Sequence, residues 1–251
     1  MDKIAFVTGA TSGIGKATAE LLAAHGFNLV ICGRRSDRLD ELKQALSKQV
    51  QVQTLTFDVR DQQAVSSAID SLPEEWKKID ILINNAGNAH GLAPIQTGSS
   101  EDWDAMMDIN VKGLLYVSKV IIPGMVSRKS GQIINIGSIA GKEVYPNGNV
   151  YCASKFAVDA ITSGMRLDLN PYGIRVSGIH PGLVETEFSL VRFKGDEQRA
   201  SSVYKGFQPL TAKDIANTIL FVINCPPHVV ISDLTILPTA QASATIVHKQ
   251  L

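Results

Sequence analysis

The sequence has no excess of either charge: 24 Lys and Arg stand against 24 Asp and Glu in 251 residues. A nucleic-acid-binding domain ordinarily carries a basic surplus, so that class is disfavoured. No apolar run approaches the roughly 18 residues a membrane span requires, and Met1-Asp2-Lys3-Ile4 enters an apolar segment without a signal-peptide pattern. Cys32, Cys152 and Cys225 are too few and too scattered for a disulfide framework or a zinc site. No Pro-, Gly- or Ser-rich linker and no internal repeat divides the chain. At 45% hydrophobic residues it is too apolar for a disordered polymer. These absences predict one cytoplasmic domain over residues 1–251, with no metal, no nucleic acid and no membrane partner.

What is present is a repeating alternation. Short apolar runs rich in β-branched residues recur at 4–8, 28–32, 50–57, 79–84, 131–136, 175–180 and 229–237. Most are continuous in polarity, as strands covered on both faces should be. Helical patterns lie between them. Ile14, Ala17, Leu21 and Leu22 share one helix face; Ser36 reads as an N-cap before the stripe Leu39, Leu42, Ala45 and Leu46; Thr211 and Asp214 resemble a capping box. The alternation predicts an α/β fold, a single Rossmann-type doubly wound parallel sheet of about seven strands with helices on both faces.

The first strand runs into Thr8-Gly9-Ala10-Thr11-Ser12-Gly13-Ile14-Gly15. Glycines between a strand and a helix permit a tight turn and close approach of backbone N–H groups to an anion, and the helix N-terminus adds partial positive charge. This predicts a phosphate cradle. The spacing G-x-x-x-G-x-G after Thr8 resembles the short-chain dehydrogenase/reductase family, as do Asn84-Asn85-Ala86-Gly87, Asn110, Ser138, Tyr151-Cys152-Ala153-Ser154-Lys155 and Pro181-Gly182, all in order. The resemblance implies a bound nicotinamide dinucleotide contacted by Gly9, Thr11, Ser12, Gly13, Ile14 and Gly15, by Asp58 and Val59 at the adenine, and by Asn85, Ala86 and Gly87. Asp58 could equally cap the helix that follows it.

The second strand should choose the cofactor. Where an NAD site carries an acid to hold the ribose 2′-hydroxyl, this chain has Gly33 followed by Arg34 and Arg35. Guanidinium groups suit a 2′-phosphate and an acid would repel it. The pair predicts NADP.

Tyr151 and Lys155 are four apart in a helical pattern and so share a face. A tyrosine near its free pKa of about 10 is a poor base at neutral pH. An adjacent ammonium and an oxidised nicotinamide favour the phenolate, which predicts a lowered pKa and a general acid/base role. The family resemblance adds Ser138 on the substrate oxygen, Lys155 on the nicotinamide ribose, Asn110 in a proton relay, and Pro181, Gly182, Val184 and Thr186 around the carboxamide. Cys152 and His180 read as packing residues, and His90 as a residue of the active-site entrance. Ala153, Ala157, Ala160 and Gly164 are small and evenly spaced, and the family's packing of this helix between subunits implies a homodimer or homotetramer.

The segment 183–196, with 71–76 and 148–150, is similar to the NADP-dependent 3-hydroxy acid dehydrogenases of that family, also described as L-allo-threonine or serine dehydrogenases and malonic semialdehyde reductases. Glu185 departs from the small residues found there. The resemblance implies oxidation of the 3-hydroxyl of small 3-hydroxy acids such as L-allo-threonine, serine and 3-hydroxypropionate, or reduction of the corresponding 3-oxo acids. A short hydroxy acid needs a cation for its carboxylate, for which Arg192 is the first candidate and Lys194 and Lys142 the next. A 3-oxoacyl thioester or general carbonyl reductase, and a nonenzymatic NADP-binding sensor or scaffold, remain alternative readings.

Overall fold

Continuous β-branched runs favour extended backbone and can bury both faces. In the computed structural model, which describes residues 3–250, they form β1 (Ile4–Thr8), β2 (Asn28–Gly33), β3 (Val52–Thr56), β4 (Ile81–Asn84), β5 (Gly131–Ile136), β6 (Ile174–Pro181), two short strands β7 (Val184–Glu185) and β8 (Leu210–Thr211), and β9 (Asp233–Ile236). Seven of these make one parallel sheet in the order β3-β2-β1-β4-β5-β6-β9. The strands are shorter than the apolar runs at 50–57 and 229–237. The β7–β8 pair, a separate parallel ladder, has no counterpart among those runs.

The helices are α1 (Gly13–Ala24), α2 (Ser36–Leu46), α3 (Gln62–Asp70), α4 (Ser100–Met107), α5 (Leu114–Arg128), α6 (Asn149–Leu169), α7 (Phe188–Arg192), α8 (Glu197–Ser202) and α9 (Ala212–Ile223). One core buries Ala19, Leu22, Leu39, Leu42, Ile215 and Ile219 of α1, α2 and α9 against the sheet. The opposite core buries Val65, Ile69, Val117, Ile121 and Leu169 of α3, α5 and α6. The sheet is thus doubly wound, and its crossovers change sides between β1 and β4, where a crevice opens at the strands' carboxyl ends.

Several local expectations shift. The buried face of α1 is Gly15, Thr18, Ala19, Leu22 and Ala23, so Ile14, Ala17 and Leu21 flank the face instead of centring it. Arg35 takes the N-cap position of α2, and Ser36 is its first helical residue. The capping box is present: the Thr211 hydroxyl accepts from Asp214 N, and the Asp214 carboxylate accepts from Thr211 N. A π-helical segment, Asp108–Gly113, joins α4 to α5. The joined helix Ser100–Arg128, at 29 residues, is long and apolar enough to cross a membrane by length and composition. No single apolar run had suggested this, because polar residues interrupt it. Its apolar stripe through Ile109, Val117, Ile121 and Met125 is spent on the core.

Candidate active site

The crevice is a cavity of about 470 Å³ that runs from the end of β2, across the β1–α1 turn, to α6 and α7. Gly9 and Gly13 sit at φ +66° and +51°, a region L side chains rarely adopt. Gly15 faces inward: a Cβ there would run into the Gly9 carbonyl and the Asn85 amide. Asn85 stitches the turn to β4 by donating to the Thr8 carbonyl at 2.8 Å, while the Thr8 hydroxyl accepts from Asn85 N and Ala86 N. Of the residues expected around a dinucleotide, all line the cavity except Gly15, which packs beneath it.

At the β2 end, Arg35 donates to the Thr11 hydroxyl at 2.8 Å and the Ser12 hydroxyl at 3.0 Å, and pairs with Glu187 at 3.1 Å. Arg38, which the sequence reading passed over, holds the other Glu187 oxygen at 2.7 Å. Asp58 does not cap α3, whose N-cap is Asp61. Its carboxylate pairs with Arg60 at 2.7 Å and lies 3.7 Å from Arg34. Burial raises the Asp58 pKa, but the Arg60 hydrogen bonds and charge outweigh it and hold the carboxyl below the usual range.

A strap from Pro181 to Arg192 covers the turn. Thr186 lies where a Cβ on Gly13 would touch it at 3.4 Å. The strap is fastened by residues without a local sequence signal: Gln241 accepts from Leu183 N at 2.8 Å, and Tyr204 donates to the Val184 carbonyl at 2.9 Å. Glu185 is exposed and lies outside the cavity lining.

At the α6 end, Tyr151 and Lys155 are both buried. Lys155 Nζ donates to the Ile136 carbonyl at 3.0 Å, and burial pushes its pKa down to about 8. Ser138 follows β5, accepts from Ala140 N at 3.1 Å and lines the cavity together with Tyr151. Asn110, in the π-helical segment, accepts from Asn88 N at 2.8 Å and donates to the Asn88 carbonyl at 2.8 Å and the Ser154 hydroxyl at 3.0 Å. It lies behind the cavity wall, against Gly87. The expected lowering of the tyrosine pKa is not what the polypeptide alone supplies. Burial raises it, and the opposing influences are the Arg192 charge and the Ser138 hydroxyl, with no resolved contribution from Lys155.

Arg192 reaches into the cavity from α7. Its guanidinium carbon is 4.8 Å from the Tyr151 ring centroid, 5.3 Å from Phe188 and 5.8 Å from Tyr145, and it donates to the Tyr145 hydroxyl at 2.6 Å. The two weaker carboxylate candidates are already paired. Lys142 bridges Asp159 and Asp233 beside the buried His180, and Lys194 holds Asp102 at 3.0 Å. His90 lines a separate small cavity with Asp102 and Trp103 instead of the main entrance. Cys152 is buried beside Met106 and Ala140. Of the small residues of α6, Ala153 and Ala160 are exposed and Ala157 and Gly164 half-buried, and no atom approaches within 4 Å of a Cβ built on Gly164.

Residues 3–196 match the family model described as short chain dehydrogenase. The chain is 44% identical to the NADP-dependent 3-hydroxy acid dehydrogenase of Salmonella typhi, over 98% of this chain and 99% of that protein. It is 43% identical to sulfoacetaldehyde reductase 2 of Chromohalobacter salexigens, over 96% of each. Its backbone superposes on the closed form of serine dehydrogenase complexed with NADP+ with a TM-score of 0.93, at 44% identity, covering 98% of this chain and 100% of the other. The alternating strands and helices, the glycine turn and the cleft therefore have one family context: this chain belongs to the short-chain dehydrogenases.

Proposed function

We propose that this chain is an NADP-dependent oxidoreductase that oxidises the 3-hydroxyl of small 3-hydroxy acids or reduces the corresponding 3-oxo acids. One observation carries the reading. A single cleft joins the Arg34–Arg35 pair at one end to Ser138, Tyr151, Lys155 and Arg192 at the other, with the glycine turn between. The names of the relatives, a 3-hydroxy acid dehydrogenase, a serine dehydrogenase and a sulfoacetaldehyde reductase, all concern substrates that carry an acid group.

Gly9, Thr11, Ser12, Gly13 and Ile14 would hold the pyrophosphate, Arg34 and Arg35 the 2′-phosphate, and Asp58 and Val59 the adenine. Asn85, Ala86, Gly87, Pro181, Gly182, Val184 and Thr186 would surround the nicotinamide half. The residues fit such a group because the turn leaves its backbone accessible, and Gly15 brings the helix N-terminus close beneath it. When bound, the dinucleotide supplies the hydride acceptor for the carbinol carbon. Ser138 holds the substrate oxygen and Tyr151 takes its proton in oxidation or returns one in reduction. Lys155 binds the ribose hydroxyls, Asn110 belongs to the proton relay, and Arg192 seats the carboxylate. For serine and allo-threonine the product is a 3-oxo acid, which loses carbon dioxide unaided. The outward small-residue stripe of α6 supports a homodimer or homotetramer, acting in the cytoplasm as one domain per chain.

The test is NADP reduction with L-allo-threonine, L-serine and 3-hydroxypropionate, beside neutral alcohols and with NAD as control. Turnover of the acids with NADP supports the reading. Turnover of neutral carbonyls or thioesters alone would discard the substrate class while keeping the cofactor.

A further inference from the structure

The guanidinium of Arg192 does more than point into the substrate end of the cleft. It lies against the face of the Tyr151 ring, 4.8 Å from the centroid. Phe188 meets the same ring edge-on at 5.7 Å and also flanks the guanidinium, so cation and phenol share one aromatic enclosure. The placement is held by the backbone as well as by the side chain. Gly91 N donates to the Arg192 carbonyl at 2.9 Å, and Lys194, just beyond the strap, pairs with Asp102 of α4. Among the described residues Arg192 Nε is buried without a hydrogen-bond partner, and Nη2 alone is engaged, by Tyr145.

We propose that Arg192 is a charge-tuning residue for Tyr151: stacked on the ring, it stabilises the phenolate, and the acid group of the substrate modulates that effect by pairing with the same guanidinium. The proposal deepens the 3-hydroxy acid reading and rests on it for its second half only. A cation over an aromatic face is attracted by the ring quadrupole, and more strongly by the full negative charge of a phenolate, particularly where water is excluded.

Among the described residues, no other cation lies over the Tyr151 ring. Ser138, from the loop after β5, offers a neutral hydroxyl. Lys155, one turn along α6, keeps its positive charge while donating to the Ile136 carbonyl, and among the described residues it is not stacked on the Tyr151 ring. Cys152 and Tyr145 are neutral, held above their ordinary pKa values by burial. On the α4 side, Asp102 is neutralised by Lys194, and burial lowers the His90 pKa. Burial by itself raises the Tyr151 pKa, and Arg192 is the leading influence against it.

Two consequences follow for the pH profile of oxidation, whose acid limb reports the proton that Tyr151 must lose. With the neutral substrate 1,3-propanediol, Arg192→Met should move the limb of kcat/KM upward by about one pH unit, the scale of a desolvated cation–π interaction. Arg192→Lys should restore most of it. In the unaltered enzyme, the kcat limb with 3-hydroxypropionate should lie above that with 1,3-propanediol, because the bound carboxylate offsets the guanidinium.

An unmoved limb in Arg192→Met would overturn the proposal, even if KM for the acid rises and so upholds the carboxylate seat. A moved limb with equal effects on the KM of acid and diol would uphold the tuning and remove the seat. Should Arg192→Met not fold, the comparison of kcat limbs in the unaltered enzyme decides. Separated limbs support the proposal, and coincident limbs sink it.

Discussion

Lys155 Nζ donates a 3.0 Å hydrogen bond to the main-chain oxygen of Ile136, the last residue of β5. The contact ties the middle of α6 to the sheet and places a charged group where water is excluded. Burial pushes the Lys155 pKa from 10.5 down to about 8.

A base whose folded pKa is below its unfolded one destabilises the fold while it is charged. Here the cost is full below about pH 8 and is relieved as pH rises toward 10.5. Lys155→Met should therefore be more stable than the unaltered protein at pH 7, by about 1–3 kcal/mol once the orphaned Ile136 carbonyl is counted. The advantage should fade between pH 8 and 10.5 while turnover is lost at every pH. Denaturant titrations across that range check this, and equal, pH-independent stabilities would contradict it.

Arg35 places three donors on Thr11, Ser12 and Glu187, across the mouth of the proposed 2′-phosphate site. Arg35→Ala should raise KM for NADP by about 10- to 100-fold, the range of a lost charge-assisted hydrogen bond to phosphate, and change KM for NAD little. A parallel loss with both cofactors would mean that the side chain only shapes the turn. Arg38→Ala breaks an exposed ion pair with Glu187 and should cost less than about 1 kcal/mol of stability by thermal unfolding.

Gly15→Ala tests the close packing of the turn. In an open helix the change would gain about 1 kcal/mol from propensity. Here the new Cβ meets the Gly9 carbonyl and the Asn85 amide, neither free to move, because Asn85 is bonded to Thr8. A net loss of about 1–3 kcal/mol is expected, with weakened dinucleotide binding by fluorescence titration. A stabilised variant with unchanged binding would show that the turn has room.

Asn110→Ala removes both partners of the Asn88 main chain and one of Ser154, all at a buried position. Stability should fall by about 2–3 kcal/mol, since buried donors and acceptors are left unpaired. If Asn110 serves the proton relay, kcat measured on the remaining folded enzyme should fall as well. A normal kcat with reduced stability would leave it a packing role.

Along the chain, features set by near neighbours were legible. Continuous β-branched runs marked the seven strands of the main sheet, and the glycines after β1 marked the tight turn into α1. The four-residue step from Tyr151 to Lys155 put both on one helix face. These depend on local backbone preference and on hydrophobic period, which a linear reading samples directly.

Other properties belong to the tertiary structure because they join residues far apart. The burial phase of α1 turned on Gly15 having to meet Gly9 and Asn85. Lys142 was removed from the substrate candidates by Asp159 and Asp233, acids 17 and 91 positions away. The aromatic enclosure that stacks Arg192 on Tyr151 draws on Tyr145 and Phe188, and the strap is fastened by Tyr204 and Gln241. The proton affinity of Tyr151 follows the same division. The residue types for acid/base chemistry were evident, but its direction of shift is a balance of burial against an arginine 41 positions away. Desolvation and through-space charge act over distance in the folded molecule, and spacing along the chain does not report them.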